Sequence, residues 1–149
     1  MDSGKFKTIL GNRLKLLSRA AYPLENAGDQ GPLEFQFYND SFLVLETESD
    51  GQSVSFSLDP LSFSAQVDTH VSWHRVIIQE PSLVGAQLTQ IDAFYEGVNE
   101  SRYIAAWRVW FGSNFVCYAN NGDNSEIFIS NEPEWLSEGW RVVATINCA

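Results

Sequence analysis

Residues 82–91 read SLVGAQLTQI, and residues 8–17 read TILGNRLKLL. Both write two apolar residues, a glycine, two polar or small residues and a leucine: Ile9 to Leu14 in the first copy, Leu83 to Leu88 in the second, offset by 74. The fold turns on how this stretch is read. Taken alone, KFKTILGNRLKLLSRAAY (5–22) fits a helical stripe through Phe6, Ile9, Leu10, Leu14, Leu17 and Ala21. Its counterpart LVGAQLTQIDAFY (83–95) carries a glycine, β-branched residues and an alternation of Leu88, Gln90 and Asp92 against Thr89 and Ile91. The two copies together predict a short turn or helical start, then a strand from about residue 13.

The correspondence extends outward. LEFQF (33–37) faces WRVWF (107–111), so that Leu33, Phe35 and Phe37 answer Trp107, Val109 and Phe111. A turn follows in each, YNDS and then the shorter GSN, and the offset becomes 73. FLVLETESDGQSVSFSLDP (42–60) faces FVCYANNGDNSEIFISNEP (115–133), which aligns Val54 with Ile127, Phe56 with Ile129 and Pro60 with Pro133. WHRVII (73–78) resembles WRVVAT (140–145). We read an internal duplication: one domain over 1–149, built of two pseudo-repeats at about 8–79 and 82–146 that are related by a pseudo-two-fold axis.

Each half is expected to be mostly β. SDGQ and NGDN are hairpin signals, because Gly, Asn and Asp tolerate positive φ. In SVSFSLD, Val54, Phe56 and Leu58 share one face and the serines the other. A meander of about four or five strands per half follows, with the halves closing as a sandwich or a partly closed barrel and little helix. Phe35, Phe37, Phe56, Trp107, Val109, Phe111, Ile127 and Ile129 are the expected core. EPEWLSEGW (132–140) is expected to hold one helical turn, started by Pro133 with Glu134 at its positive end.

Composition bounds function. The chain is 44% hydrophobic and 13% aromatic, enough to build a core without disulfide staples. Cys117 lies in an alternating apolar run, where packing is its expected role, and Cys148 is next to the last residue. No apolar stretch approaches the roughly 18 residues of a membrane span, and the first ten residues do not read as a secretory signal. A soluble cytoplasmic protein with free thiols is the expectation. The formal net charge of −10 repels phosphate backbones, so a nucleic-acid partner is not expected, nor is a membrane; basic proteins are favoured.

Metal and cofactor chemistry finds no support in the residue pattern. His70 and His74, the two histidines, would stand about 13 Å apart on a strand, too far to share an ion. NNGDNSE (120–126) lacks calcium-loop spacing and reads as turn chemistry. There is no G-x-S-x-G nucleophile elbow and no Gly-rich phosphate loop, so no residue takes a catalytic role and the chain is read as non-enzymatic.

The aromatics carry the functional hint. Trp107 and Trp110 must face opposite ways in a strand, so one of them lies away from the core unless both faces are covered. Trp135 and Trp140 sit beside Glu132, Glu134 and Glu138, a combination suited to gripping Arg and Lys by stacking and ion pairing. The alternative use of Trp135 and Trp140 is to plug the open end of the sandwich. In general character, small, acidic and without a catalytic motif, the chain resembles small bacterial single-domain proteins, including immunity proteins that neutralise toxins. The expected function is a protein-binding module, an immunity-type inhibitor of a basic toxin or effector acting through Glu132, Glu134, Trp135, Glu138 and Trp140. A small-molecule-binding β-barrel and a structural homodimer are the alternatives.

Overall fold

Strict alternation makes LEFQF a strand: Leu33, Phe35 and Phe37 are fully buried on one face, while the residues between them point the other way. The computed structural model describes residues 3–21, 31–48, 53–61, 74–95, 103–121, 124–131 and 133–147. A 3-10 turn at Ser3–Phe6 leads into β1 (Leu14–Ala21), followed by β2 (Leu33–Phe37), β3 (Phe42–Thr47), β4 (Val54–Ser57) and β5 (His74–Ile77). The second half holds β6 (Gln90–Tyr95), β7 (Ile104–Phe111), β8 (Asn114–Asn121), β9 (Asn124–Ile129), α1 (Glu134–Gly139) and β10 (Arg141–Asn147). The expected helical start followed by a strand is what residues 3–21 form, and residues 90–95 are strand.

The strands make two antiparallel sheets of five, in the orders β4-β3-β2-β1-β5 and β10-β6-β7-β8-β9. They pack as a sandwich rather than a barrel. The orders are one topology written twice, with β6 to β10 in the places of β1 to β5. Registers agree as well. Leu17↔Phe35 and Ser18↔Glu34 in the first sheet stand where Ile91↔Val109 and Asp92↔Arg108 stand in the second. Leu33↔Leu45 likewise answers Trp107↔Tyr118.

Two expectations need correction. A simple meander holds for the first four strands of each sheet, but the fifth returns to pair beside the first. The fifth strand satisfies the backbone groups on the edge of β1 that β2 does not pair, so β1 is an inner strand. The residue-by-residue match of β4 to β9 is also out of step by two. Val54 pairs with Thr47, whereas Ser125, not Ile127, pairs with Asn120, the position matching Thr47. The second hairpin is shorter, and a slip of two keeps every side chain on its own face. The hairpin tips at 49–52 and 122–123 lie outside the described residues.

The repeated hexapeptide is where the halves clasp. Gly11 N–H donates to Leu88 O (2.8 Å) and Gly85 N–H to Leu14 O (2.7 Å); Leu14 N–H donates to Ala86 O and Leu88 N–H to Asn12 O, both 2.9 Å. Each bond becomes its partner when 74 is added to one residue and subtracted from the other. Arg13 pairs with Gln87 in an isolated antiparallel bridge, so these two positions sit on the local two-fold. Ile9 and Leu83, again equivalent, are both fully buried. Gly11 and Gly85 have φ of 82° and 87°, which explains why the glycine is written in both copies. A Cβ at position 85 would meet nothing within 4 Å, so the cost of Gly85→Ala comes from the backbone alone. It is expected to lower stability by about 1–2 kcal/mol, read as a lower urea midpoint at unchanged slope.

Between the sheets, Phe6, Phe35, Phe37, Trp107, Val109 and Phe111 form one core with Leu and Val from both halves, and Phe56, Ile127 and Ile129 pack against it partly buried. Trp107 donates Nε1–H to Val54 O at 2.8 Å. Tyr118 is 1% exposed and donates to Gly31 O at 3.2 Å; burial pushes its phenol pKa up, so the hydroxyl stays protonated.

Candidate functional site

The site forms on the outer face of the second sheet. Strand alternation there presents Phe94, Asp92 and Gln90 from β6, Ala106, Arg108 and Trp110 from β7, Ala119, Cys117 and Phe115 from β8, and Phe128 from β9, in register across the sheet. Ala106, Cys117 and Ala119 are small and lie together, which leaves a depression. Leu136 of α1 fills it and is fully buried. Helix α1 begins at Pro133 and Glu134 as the sequence implies, without a side-chain cap, and ends where Trp140 N–H donates to Leu136 O (3.3 Å).

Trp135 and Trp140 pack around that anchor. Their rings lie 4.9 Å apart at 59°, and Trp135 meets Phe128 edge-on at 6.1 Å. Both tryptophans are half-buried and Glu134 is exposed. They cover a sheet face and do not plug an end of the sandwich, because the apolar depression they need lies on β7 and β8. Glu132 lies outside the described residues, as does His70; for Glu138 only the helical backbone is described. His74 opens β5, the strand expected for it.

Beside α1 lies a polar cluster absent from the sequence-based site. Asp92 is 1% exposed. Its Oδ2 accepts from Arg108 Nε (3.0 Å), Arg108 Nη2 (2.9 Å) and Trp110 Nε1 (2.8 Å). Its Oδ1 accepts from Gln90 Nε2 (2.8 Å) and Thr145 Oγ1 (3.0 Å). The Arg108 guanidinium carbon lies 4.9 Å from the Phe94 ring, 5.1 Å from Trp110 and 5.8 Å from Phe115, and Trp110 and Phe115 are 4.8 Å apart. Arg108 therefore holds a row of aromatics upright while Asp92 neutralises it. The first sheet carries an analogous pair: buried Glu34 accepts from Arg75 Nη1 at 2.6 Å and from the Leu61 N–H at 2.7 Å, and Arg75 also donates to Ser18 Oγ. Ser18 and Glu34 occupy the places of Asp92 and Arg108, with the carboxylate moved one strand across.

The signal for Asp92 was present in QIDAFY, where a carboxylate interrupts an apolar strand; such a group is buried only with a cation opposite. Cys117, which forms no disulfide, is buried under α1. Among the described residues no group of His, Cys, Asp and Glu is arranged to hold a metal ion, and no helix is long and apolar enough to cross a membrane. Comparisons of the chain with protein-family models, curated proteins and solved structures find no match.

Proposed function

We propose that the chain is a non-enzymatic protein-binding module, an immunity-type inhibitor that engages a basic toxin or effector through α1 and the aromatic outer face of the second sheet. The observation that carries this reading is the half-buried Phe128, Trp135 and Trp140 group with Glu134 exposed at its rim, outside a sandwich whose interior core is built from other residues. Tryptophan and arginine anchors ringed by polar groups are what concentrate binding energy in protein interfaces. A basic partner supplies Arg and Lys for ion pairing with Glu134 and stacking on the tryptophans. The net charge of −10 steers such a partner from a distance.

Partner recovery from the native host at low salt tests this reading. A basic protein is expected to be retained by the wild-type chain, to elute as salt rises, and to bind the exposed-site variant Glu134→Lys roughly tenfold more weakly. Recovery of no protein at low salt, or equal retention by Glu134→Lys, would sink the proposal.

A further inference from the structure

We propose a second interaction surface, centred on the clasp between the halves, that receives an acidic segment of a partner protein studded with apolar side chains. The net charge conceals a segregation. Five of the nine Lys and Arg residues, Lys5, Lys7, Arg13, Lys15 and Arg19, fall within residues 5–19, a stretch without Asp or Glu. Lys5, Lys7, Arg13 and Lys15 are exposed, and the three lysines make no ion pair among the described residues.

The fold gathers this stretch around two exposed apolar groups. Tyr38, 57% exposed, has its N–H on Arg13 O at 3.0 Å. Arg13 Nη1 donates to Gly85 O at 2.8 Å, next to Val84, which is 45% exposed. Asn39 Nδ2 and Ser41 Oγ both donate to Thr8 O, which brings Lys7 to the same place. Lys15 is the extra residue of the β1 bulge beside Phe37 and so stands out of the sheet. Asp2 before Lys5, Asp40 in the turn and Glu80 before the clasp are carboxylates adjoining this patch in sequence; Asp2 lies outside the described residues and Glu80 is engaged by Ser82 Oγ at 2.9 Å.

Cations interleaved with an exposed ring and a valine match a peptide that alternates carboxylates with apolar residues. A nucleic acid fits less well, because its phosphates extend past the patch onto a chain whose remaining charge is strongly negative. An anionic membrane meets the same repulsion over a wider front. A short peptide stays within the patch, and the field of the rest is screened beyond about 8 Å at physiological salt. Arg13, already tethered to Gly85 O, loses little freedom on binding.

The test uses a short fluorescein-labelled peptide alternating Glu with Leu and Phe, followed by anisotropy at low salt. Wild-type protein is expected to bind it. The Lys7→Glu/Lys15→Glu double variant and, separately, Tyr38→Ser are each expected to weaken binding about tenfold or more, while Glu134→Lys leaves it unchanged. Unchanged affinity in the double variant or in Tyr38→Ser overturns the proposal. So does tighter binding of a single-stranded oligonucleotide of equal charge, or of phosphatidylserine vesicles. Because Glu134→Lys reports on the other face alone, failure here and failure of the inhibitor reading are separate results.

Discussion

Asp92→Ala is expected to destabilise the protein by about 3–5 kcal/mol, a fall of roughly 10 °C or more in Tm. The carboxylate is 1% exposed and accepts five hydrogen bonds, two of them from Arg108. Truncation removes the carboxylate from an Arg108 side chain that is 16% exposed, with its guanidinium walled by Phe94, Trp110 and Phe115. Breaking this buried ion pair, with the donors of Trp110, Gln90 and Thr145 losing their acceptor at the same time, is the cost. Asp92→Asn keeps the shape and one acceptor and should cost less than alanine. The double change Asp92→Leu/Arg108→Met removes both charges and should recover most of the loss, because a buried ion pair replaced whole by apolar groups is often near neutral. Urea midpoints of the four proteins decide it. A loss under about 1 kcal/mol for Asp92→Ala would mean that water already compensates the site.

This cluster also marks the limit of what could be read in advance. The β class, the helical turn at Glu134 and the opposed faces of Trp107 and Trp110 follow from alternation and from Pro and Gly placement, which are local. The repeated glycine was legible too, since it takes a positive φ at both places, but the bonds between the two stretches join residues far apart in the chain and were not. Asp92, Arg108 and Thr145 come from β6, β7 and β10, and their meeting depends on cross-strand register, which local pattern does not carry. The same holds for the return of β5 and β10 beside β1 and β6. Trp135 and Trp140 were legible as a pair, but not their seat. That seat is defined by Ala106, Cys117 and Ala119 being small, and small residues in a strand give no signal of what covers them. The basic patch was missed for another reason: the charge was summed over the chain, and a sum of −10 hides a stretch with five cations and no acid.

The likeness of the two sheets goes beyond strand order. Equal strand order in two sheets could arise independently, since four-strand meanders are common. Four hydrogen bonds exchanged by a shift of 74, in a bridge where Arg13 faces Gln87, ask for more. The two sheets share strand order, register and this reciprocal clasp, and they differ on their outer faces, with Ser18 and Glu34 in one where Asp92 and Arg108 stand in the other. Each sheet buries one carboxylate on its outer face and pairs it with an arginine, Glu34 of β2 with Arg75 in the first and Asp92 of β6 with Arg108 in the second.

Trp107→Ala is the second large effect, expected at about 3–5 kcal/mol. Trp107 is 2% exposed, with Phe56 at 5.4 Å and Phe6 at 6.3 Å, and its Nε1 reaches across the sandwich to Val54 O. That bond holds β4, an edge strand of the first sheet, to β7, an inner strand of the second. Trp107→Phe removes the bond and keeps most of the packing, so it should cost less, with about 1–3 kcal/mol from the unsatisfied Val54 carbonyl. Hydrogen exchange separates the two contributions. In Trp107→Phe, amides of β4 should exchange faster while those of β1 and β2 keep their protection, because the lost tether acts on the edge alone. Trp110, three residues along and on the outer face, is the internal control: Trp110→Phe should leave β4 protection unchanged. Equal effects at 107 and 110 would mean that β7 does not separate an interior from an outer face, and the sandwich arrangement would have to be abandoned.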